Sequence, residues 1–308
     1  MKTIVSLIAS SAVAASAGAA TFTNSPDADS FVRAAAPTAN YGGAGALSVS
    51  GATATNLNGA AQGVSDTFMR FNTSAMAASF NSTFGAGNWA VSGATLAVTE
   101  TGAPANAVFN RGAGHFEIKW IVNDNWTEGS GMPMSPGSTG IVYNNEATLL
   151  NPAVDCGLGV FTNAGVDGVL SFPLALTRSF VGDLDLGGEV GLYLTATDPQ
   201  TGFTFNSRSF TTASARPTLQ ISALPVPVLT GIQVAGAGAT LTVTNITTNA
   251  VYILLTSTNL ATPLAQWIVV ATNSAAANGP LKITMTNTQT QGAPQRYFVL
   301  STRAASSQ

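Results

Sequence analysis

The chain has one cysteine and one histidine in 308 residues, and only 8% of its residues are charged. Because Cys156 stands alone, no disulfide can form within the chain, and the fold must depend on apolar burial. A free cysteine behaves as a small hydrophobe, so we expect a buried thiol. A conventional zinc site or a Ser-His-Asp triad would have to rely on His115, and a single histidine gives neither class of site support.

Charge is divided unevenly along the chain. Residues 21–224 hold all fourteen acidic and seven basic residues, a formal charge of −7, whereas residues 225–308 hold three basic residues and none acidic, a charge of +3. This change at Leu224-Pro225-Val226-Pro227 predicts a boundary between two domains. The acidic balance of the first domain disfavours nucleic acid as a partner. No glycine-rich phosphate loop lies between a strand and a helix pattern, so nucleotide binding is not indicated.

The first twenty residues have the pattern of an export signal. Lys2 precedes an apolar run over 4–15, and the small residues at 17–20 favour cleavage near Ala20. The run is too short to span a bilayer, and no later segment has the length of a transmembrane helix. We therefore expect a secreted, extracellular protein without a transmembrane segment in its mature form. A buried first strand is the structural alternative.

Period-two patterns predict an all-β fold. Residues 94–99, 116–122 and 191–196 alternate or consist of β-formers, and the connections are rich in Gly, Asn and Pro. Only residues 74–80 have a weak helical pattern. We expect a jelly-roll β-sandwich over 21–224. Five shorter patterns predict a smaller immunoglobulin-like β-sandwich over 225–308, with strands at 240–243, 252–257, 267–271, 281–285 and 297–301.

The segment 120–128 gathers two tryptophans and two carboxylates where a strand pattern gives way to a Gly/Pro/Ser/Met loop. Polar and aromatic groups at such a junction are typical of a binding site. Trp120 lies on the apolar face of its strand and is expected in the core. Asp124 and Glu128 are expected to hold the loop by hydrogen bonds to backbone N–H groups. The enzymatic alternative, a polysaccharide hydrolase or lyase, would use Asp124, Glu128 or His115 in a cleft.

Calcium is an alternative role for the acidic residues. It binds six to eight oxygen ligands and often fixes loops of secreted sandwiches. The candidate carboxylates are Asp27, Asp29, Asp183, Asp185, Asp124 and Glu128. Their spacing matches no defined calcium loop, and no other cofactor is indicated.

Aromatic and basic residues predict saccharide contacts, because sugar rings stack on Trp and Tyr while charged groups bind hydroxyls or carboxylates. The candidate ligand-binding residues are Arg33, Tyr41, Arg111, Lys119, Trp126, Tyr143 and Arg208. Such a set favours a polysaccharide partner, and the basic residues would suit an acidic one.

Six segments follow one another along the chain: 28–33, 40–43 with 47–49, 67–72, 94–98, 123–128, and 205–209 with 216–219. They resemble the DNRLRE-type domain of secreted bacterial proteins, with Asn72 where Asp is usual and Trp126-Thr127-Glu128 in its "WTE" segment. The resemblance implies a jelly roll related to carbohydrate-binding modules that bind alginate through basic residues, and hence a non-catalytic polysaccharide-binding role.

The second domain also carries a familiar pattern. Residues 252–260, Trp267 and 295–298 resemble a small sandwich often appended to secreted bacterial proteins. That resemblance implies a spacer or attachment module. A surface or matrix protein without glycan affinity is therefore the structural alternative to polysaccharide binding.

Overall fold

A computed structural model describes residues 5–11, 19–56, 59–100, 112–165, 168–235, 238–246, 250–274, 280–285 and 296–304. The chain divides into two compact units. The large unit comprises residues 21–79 and 93–221, and the small unit comprises residues 1–20, 80–92 and 222–308. The domain limits proposed from composition, 21–224 and 225–308, stay a prediction.

Strands dominate the described residues, and the predicted all-β class is confirmed. The strands are β1 (Val5–Ser11), β2 (Ala20–Asn24), β3 (Ala28–Arg33), β4 (Ala46–Ser50), β5 (Ser65–Asn72), β6 (Trp89–Glu100), β7 (Gly114–Ile121), β8 (Cys156–Asn163), β9 (Gly168–Pro173), β10 (Glu189–Ala196), β11 (Gly202–Asn206), β12 (Thr218–Pro225), β13 (Val228–Ala235), β14 (Gly238–Thr244), β15 (Ala250–Ser257), β16 (Ile268–Ser274), β17 (Leu281–Met285) and β18 (Arg296–Ala304). The helices are α1 (Met76–Phe84), α2 (Tyr143–Glu146) and α3 (Arg178–Leu186).

The large unit is built on antiparallel strand pairs. One run has the order β3-β5-β10-β7-β8, and a second has β4 beside β11 and β9 beside β6. Single register pairs, Ser50 with Ser65 and Phe205 with Glu100, join the runs into one sheet. An aromatic core fills the interior. Phe116 of β7 packs against Phe203 of β11 and Phe172 of β9, with ring centroids 4.8 and 5.2 Å apart.

The opposite face of β5, β10 and β7 carries Phe68, Tyr193 and Lys119. Tyr193 lies directly across from Phe68 on one side and from Lys119 on the other. Thr195 lies across from Glu117, two residues along β10. Because residues paired across strands share a face, these side chains form one surface, which we call the outer face. Trp126 and Ile141 pack on it, together with the partly buried side chains of Tyr143, Leu149 and Leu150.

The small unit contains the sheets β1-β18-β15-β16 and β13-β14-β17. Its core includes Leu241, Tyr252, Leu254, Ile283 and Phe298. All five strand patterns noted in the sequence correspond to observed strands, β14 to β18. β1 lies in the predicted export signal and pairs in parallel with β18 from Val5 opposite Arg296 to Ser11 opposite Thr302.

Candidate functional site

The loop after Trp126 is fixed by one buried side chain, Asn40. Its Nδ2 donates to the carbonyl oxygens of Glu128 (2.7 Å) and Ile141 (2.8 Å). Its Oδ1 accepts from the backbone N–H groups of Gly42 and Gly131, each at 3.1 Å. A Cβ at Gly42 would collide with the Glu128 carbonyl, so glycine permits this close approach. The loop is therefore a braced element of the fold.

Trp126, a predicted ligand contact, is a core residue. Its side chain is 6% exposed and meets Phe68 edge to face, with centroids 6.0 Å apart. The Arg70 guanidinium covers its ring at 5.5 Å and donates through Nη1 to the carbonyl oxygens of Asp124 and Trp126. The ring face that would stack on a sugar is thus occupied. Asp124 supports the loop through its carbonyl oxygen, whereas the sequence predicted a bond through its carboxylate.

Glu128 and Arg208 form a bidentate ion pair. Arg208 Nε and Nη2 lie 2.5 Å from Glu128 Oε1 and Oε2, and Asp29 donates its N–H to Glu128 Oε1 at 2.9 Å. Asp29 accepts in turn from the Arg208 N–H at 2.6 Å. Burial, which outweighs this bond, raises the pKa of Asp29 to about 7. The pair joins three distant parts of the chain, so Glu128 and Arg208 act as a structural clamp.

Most other predicted ligand residues are also engaged within the fold. Tyr41 is 4% exposed and stacks on Phe31, with centroids 4.5 Å apart. Arg33 Nη2 donates to Gln62 Oε1 at 3.0 Å. Tyr143 is partly buried on the outer face. Arg111 lies outside the described residues.

Lys119 is the exception, because it lines an open pocket of about 180 Å³. The walls of this pocket are Glu117, Lys119, Leu150, Pro152, Asp155 and Gly157. Lys119 Nζ lies 3.3 Å from Glu117 Oε2, and both side chains are partly exposed. Strand β7 therefore presents one cation and one carboxylate to the pocket, while residues 150–157 supply an apolar wall and a second carboxylate.

The second carboxylate, Asp155, shapes the pocket's far wall. Its Oδ1 accepts from the Val122 N–H at 3.0 Å and its Oδ2 from the Asn151 N–H at 2.6 Å. Gly157 leaves space for the Glu117 side chain, since a Cβ at this position would lie 2.6 Å from Glu117 Oε1. The pocket is thus preformed by backbone contacts. Sequence alone did not select Glu117 or Asp155, although the alternation of β7 placed Glu117 and Lys119 on one face.

A pair of buried carboxyl groups lies on the same outer face. Asp66 of β5 is 3% exposed and Glu146 of α2 is 8% exposed. Tyr193 donates its phenolic O–H to Glu146 Oε1 at 2.7 Å, and the negative charge of Asp66 acts on the Glu146 carboxyl group. Burial and the neighbouring Asp66 raise the pKa of Glu146 to about 7, and burial raises the pKa of Asp66. The sequence analysis assigned these residues no role, because nothing in the chain order brings 66 and 146 together.

The six calcium candidates do not form one cluster, although Asp29 and Glu128 meet in the clamp. Asp27 pairs with Arg70 at 3.0 Å, and Asp183 accepts from Trp120 Nε1 at 2.7 Å. Asp29 belongs to the clamp, and Asp185 is exposed on α3. Within the described ranges, no group of three or more His, Cys, Asp or Glu side chains is arranged to hold a metal ion.

The enzymatic candidates are likewise apart. His115 Nδ1 lies 2.6 Å from Asp198 Oδ2 at the start of β7, and this bond lowers the pKa of Asp198. Glu128 is held by Arg208. Cys156 is a partly buried free thiol whose Sγ lies 3.0 Å from Thr177 Oγ1.

No protein-family model and no curated protein matches the chain. Solved structures with some likeness include a β-D-glucuronidase from Dictyoglomus thermophilum (8% identity over 90% of this chain and 40% of that chain, TM-score 0.24) and a Ruminococcus gnavus β-glucuronidase (8%, 93% and 44%, TM-score 0.24). Another is the adhesin domain of Epf from Streptococcus pyogenes (8%, 73% and 62%, TM-score 0.19). The chain spans less than half the length of the two glucuronidases. Scores this low carry no inference about this chain's fold or function.

Among the residues that the structure describes, no helix has the length and apolar character needed to cross a membrane.

Proposed function

We propose that the chain is a secreted, non-catalytic polysaccharide-binding protein, and that one saccharide unit binds in the pocket beside Lys119. One observation supports this site. The side chains of Lys119, Glu117 and Asp155 line the same open, preformed cavity. Sugar hydroxyls both donate and accept hydrogen bonds. Two carboxylates and one ammonium group therefore suit them.

The size of the pocket limits what it holds. At about 180 Å³ it is smaller than pockets for drug-sized molecules, which measure roughly 300–1,000 Å³. One ring of a longer chain fits this space better than an oligosaccharide. Leu150 and Pro152 offer an apolar wall to the C–H face of such a ring.

The charges of the pocket favour a neutral sugar. Glu117 and Asp155 place two carboxylates beside the single ammonium group of Lys119. A uronic acid would bring a third negative charge, which like-charge repulsion disfavours. The proposal therefore narrows the expected partner to a neutral polysaccharide, although the DNRLRE-like elements had suggested an acidic one.

Affinity gel electrophoresis of the full chain tests this function. Neutral glucans, mannans and galactans in the gel should include one that retards the protein, with alginate as the acidic comparison. Lys119→Gln should weaken retardation at least about fivefold, the effect of losing roughly 1 kcal/mol of hydrogen bonding. Absence of retardation by every polysaccharide would favour the surface or matrix role instead.

Two control variants make the result specific. Lys282→Gln removes the same charge from an exposed position on β17 of the small unit and should leave retardation unchanged. Trp126→Phe should also retain affinity, because Trp126 is buried in the core. Equal losses in Lys119→Gln and Lys282→Gln would overturn the pocket as the binding site, and release of reducing sugar would overturn the non-catalytic assignment.

A further inference from the structure

The buried carboxyl pair, Asp66 and Glu146, lies in line with the pocket on the outer face. Thr195 is opposite Glu117 of the pocket, and the pairing of Leu194 with Thr67 places Asp66 of β5 beside Thr195 on the other side. Glu117, Thr195 and Asp66 therefore form one row across β7, β10 and β5. The pair and the pocket share a sheet face and are separated by about one strand.

The covering segment, residues 143–150, connects the pair to the pocket along the chain. Glu146 is held by the phenolic O–H of Tyr193. Four residues later, Leu150 forms part of the pocket wall. The side chains of Tyr143, Leu149 and Leu150 pack against the buried residues of the outer face and are themselves only partly buried. Contacts at Glu146 therefore help decide where Leu150 lies.

Burial of Asp66 and Glu146 on one face favours a proton on the pair. Two ionised carboxylates would repel each other, and burial deprives both of hydration. Asp66 Oδ1 is moreover buried without a hydrogen-bond partner, which penalises the ionised form. The groups around the pair are Tyr193 and Thr195 of β10 and Tyr143 of α2. Glu117 and Lys119 of β7 occupy the next strand, where they pair with each other.

We propose that residues 143–150 form a proton-dependent cover, closed while Asp66 and Glu146 share one proton and opened when both ionise. Opening separates the two like charges and brings the carboxyl groups to water. It also withdraws Leu150 from the pocket wall. The cover concerns the pocket of the proposed function, but its opening is a property of the chain without ligand.

The direction of the effect follows from linkage. In the open state the pKa of each carboxyl group returns to its ordinary value, which is 4.5 for Glu146. Burial in the closed state raises the pKa of Glu146 to about 7. Between pH values near these two pKa values, the closed state therefore binds more protons than the open state. The population of the closed state falls as the pH rises through this window. The equilibrium constant for opening should increase by about tenfold per pH unit.

Hydrogen–deuterium exchange of the full chain, measured from pH 5 to 8 without ligand, tests the cover. After correction for the intrinsic pH dependence of exchange, peptides within 141–150 should exchange about tenfold faster per pH unit. Asp66→Asn and Glu146→Gln each keep a hydrogen-bonding group and remove the charge, so this dependence should disappear. Asp185→Asn alters an exposed carboxylate of α3 and should behave like the unaltered chain.

Two results would overturn the cover. One is exchange in 141–150 without pH dependence in the unaltered chain, which needs no variant to fold. The other is the same pH dependence in Asp66→Asn as in the unaltered chain. A pH-dependent cover in a protein that no polysaccharide retards would refute the proposed function and leave the cover standing.

Discussion

At the scale of single residues, the molecule uses its polar side chains mainly to hold loops. Asn40 ties the backbone at 42, 128, 131 and 141 together through one amide. Glu128 and Arg208 use a whole bidentate ion pair for the same purpose. Polar residues of conspicuous sequence motifs can therefore be parts of the scaffold, and the functional surface is sought among side chains left partly exposed.

Asn40→Ala should destabilise the large unit by about 2–4 kcal/mol, since it leaves several buried backbone groups without partners. Urea unfolding followed by tryptophan fluorescence measures the effect, because Trp126 lies in the same braced segment. Asn125→Ala is the matched control at an exposed position of that segment and should change stability by less than about 0.5 kcal/mol. Equal stability of the two variants would contradict the bracing role.

At the scale of elements, strands were predicted better than short helices. The alternation of 116–122 correctly indicated β7 with Phe116, Ile118 and Trp120 buried, but Val122 is 45% exposed because the strand ends at Ile121. The weak helical pattern at 74–80 corresponds to α1. Helices α2 and α3 were not predicted. A four-residue helix such as α2 has no periodicity to detect and is held by tertiary contacts such as the Tyr193–Glu146 bond.

The candidate site was less predictable than the strands. Lys119 was identified, but its partners Asp155 and Leu150 depend on how the segment after β7 returns to the sheet. The resemblance to a DNRLRE-type domain placed weight on 126–128, where the structure shows Trp126 buried and Glu128 paired with Arg208. Contacts between residues 66 and 146, or 29 and 208, follow from tertiary packing that no local pattern encodes.

The stability of the large unit should decrease as the pH rises from 5 to 8. Burial raises the pKa of Asp29 and of Glu146 to about 7 in the folded chain, from 3.8 and 4.5. The folded state therefore binds more protons than the unfolded state in this range, and each carboxyl group lowers the free energy of unfolding by at most about 1.4 kcal/mol per pH unit.

Denaturant unfolding at several pH values measures this slope. Asp29→Asn should reduce it, because the amide does not titrate, whereas Asp185→Asn should leave most of it in place. A free energy of unfolding that increases from pH 5 to 8 would contradict the assignment of raised pKa values to these carboxyl groups.

At the scale of the whole molecule, part of the predicted export signal also forms strand β1, which pairs with β18. We expect the exported protein to begin near Thr21, which intact-mass measurement of protein from the culture medium checks. Removal of residues 1–20 should increase hydrogen–deuterium exchange in Arg296–Ala304 relative to the uncleaved chain. An unchanged exchange rate would indicate that β1 does not protect β18 in solution.

The pairing of β1 with β18 also sets an order of events for a chain that is to be exported. The same residues would have to be read by the export machinery and enter a sheet of the small unit, whose other strands are synthesised last. In a precursor that folded before targeting, the predicted signal sequence would be paired in a sheet and less accessible to the export machinery. If the chain is exported as predicted, the export machinery has to bind residues 1–20 before residues 296–304 are available to pair with β1.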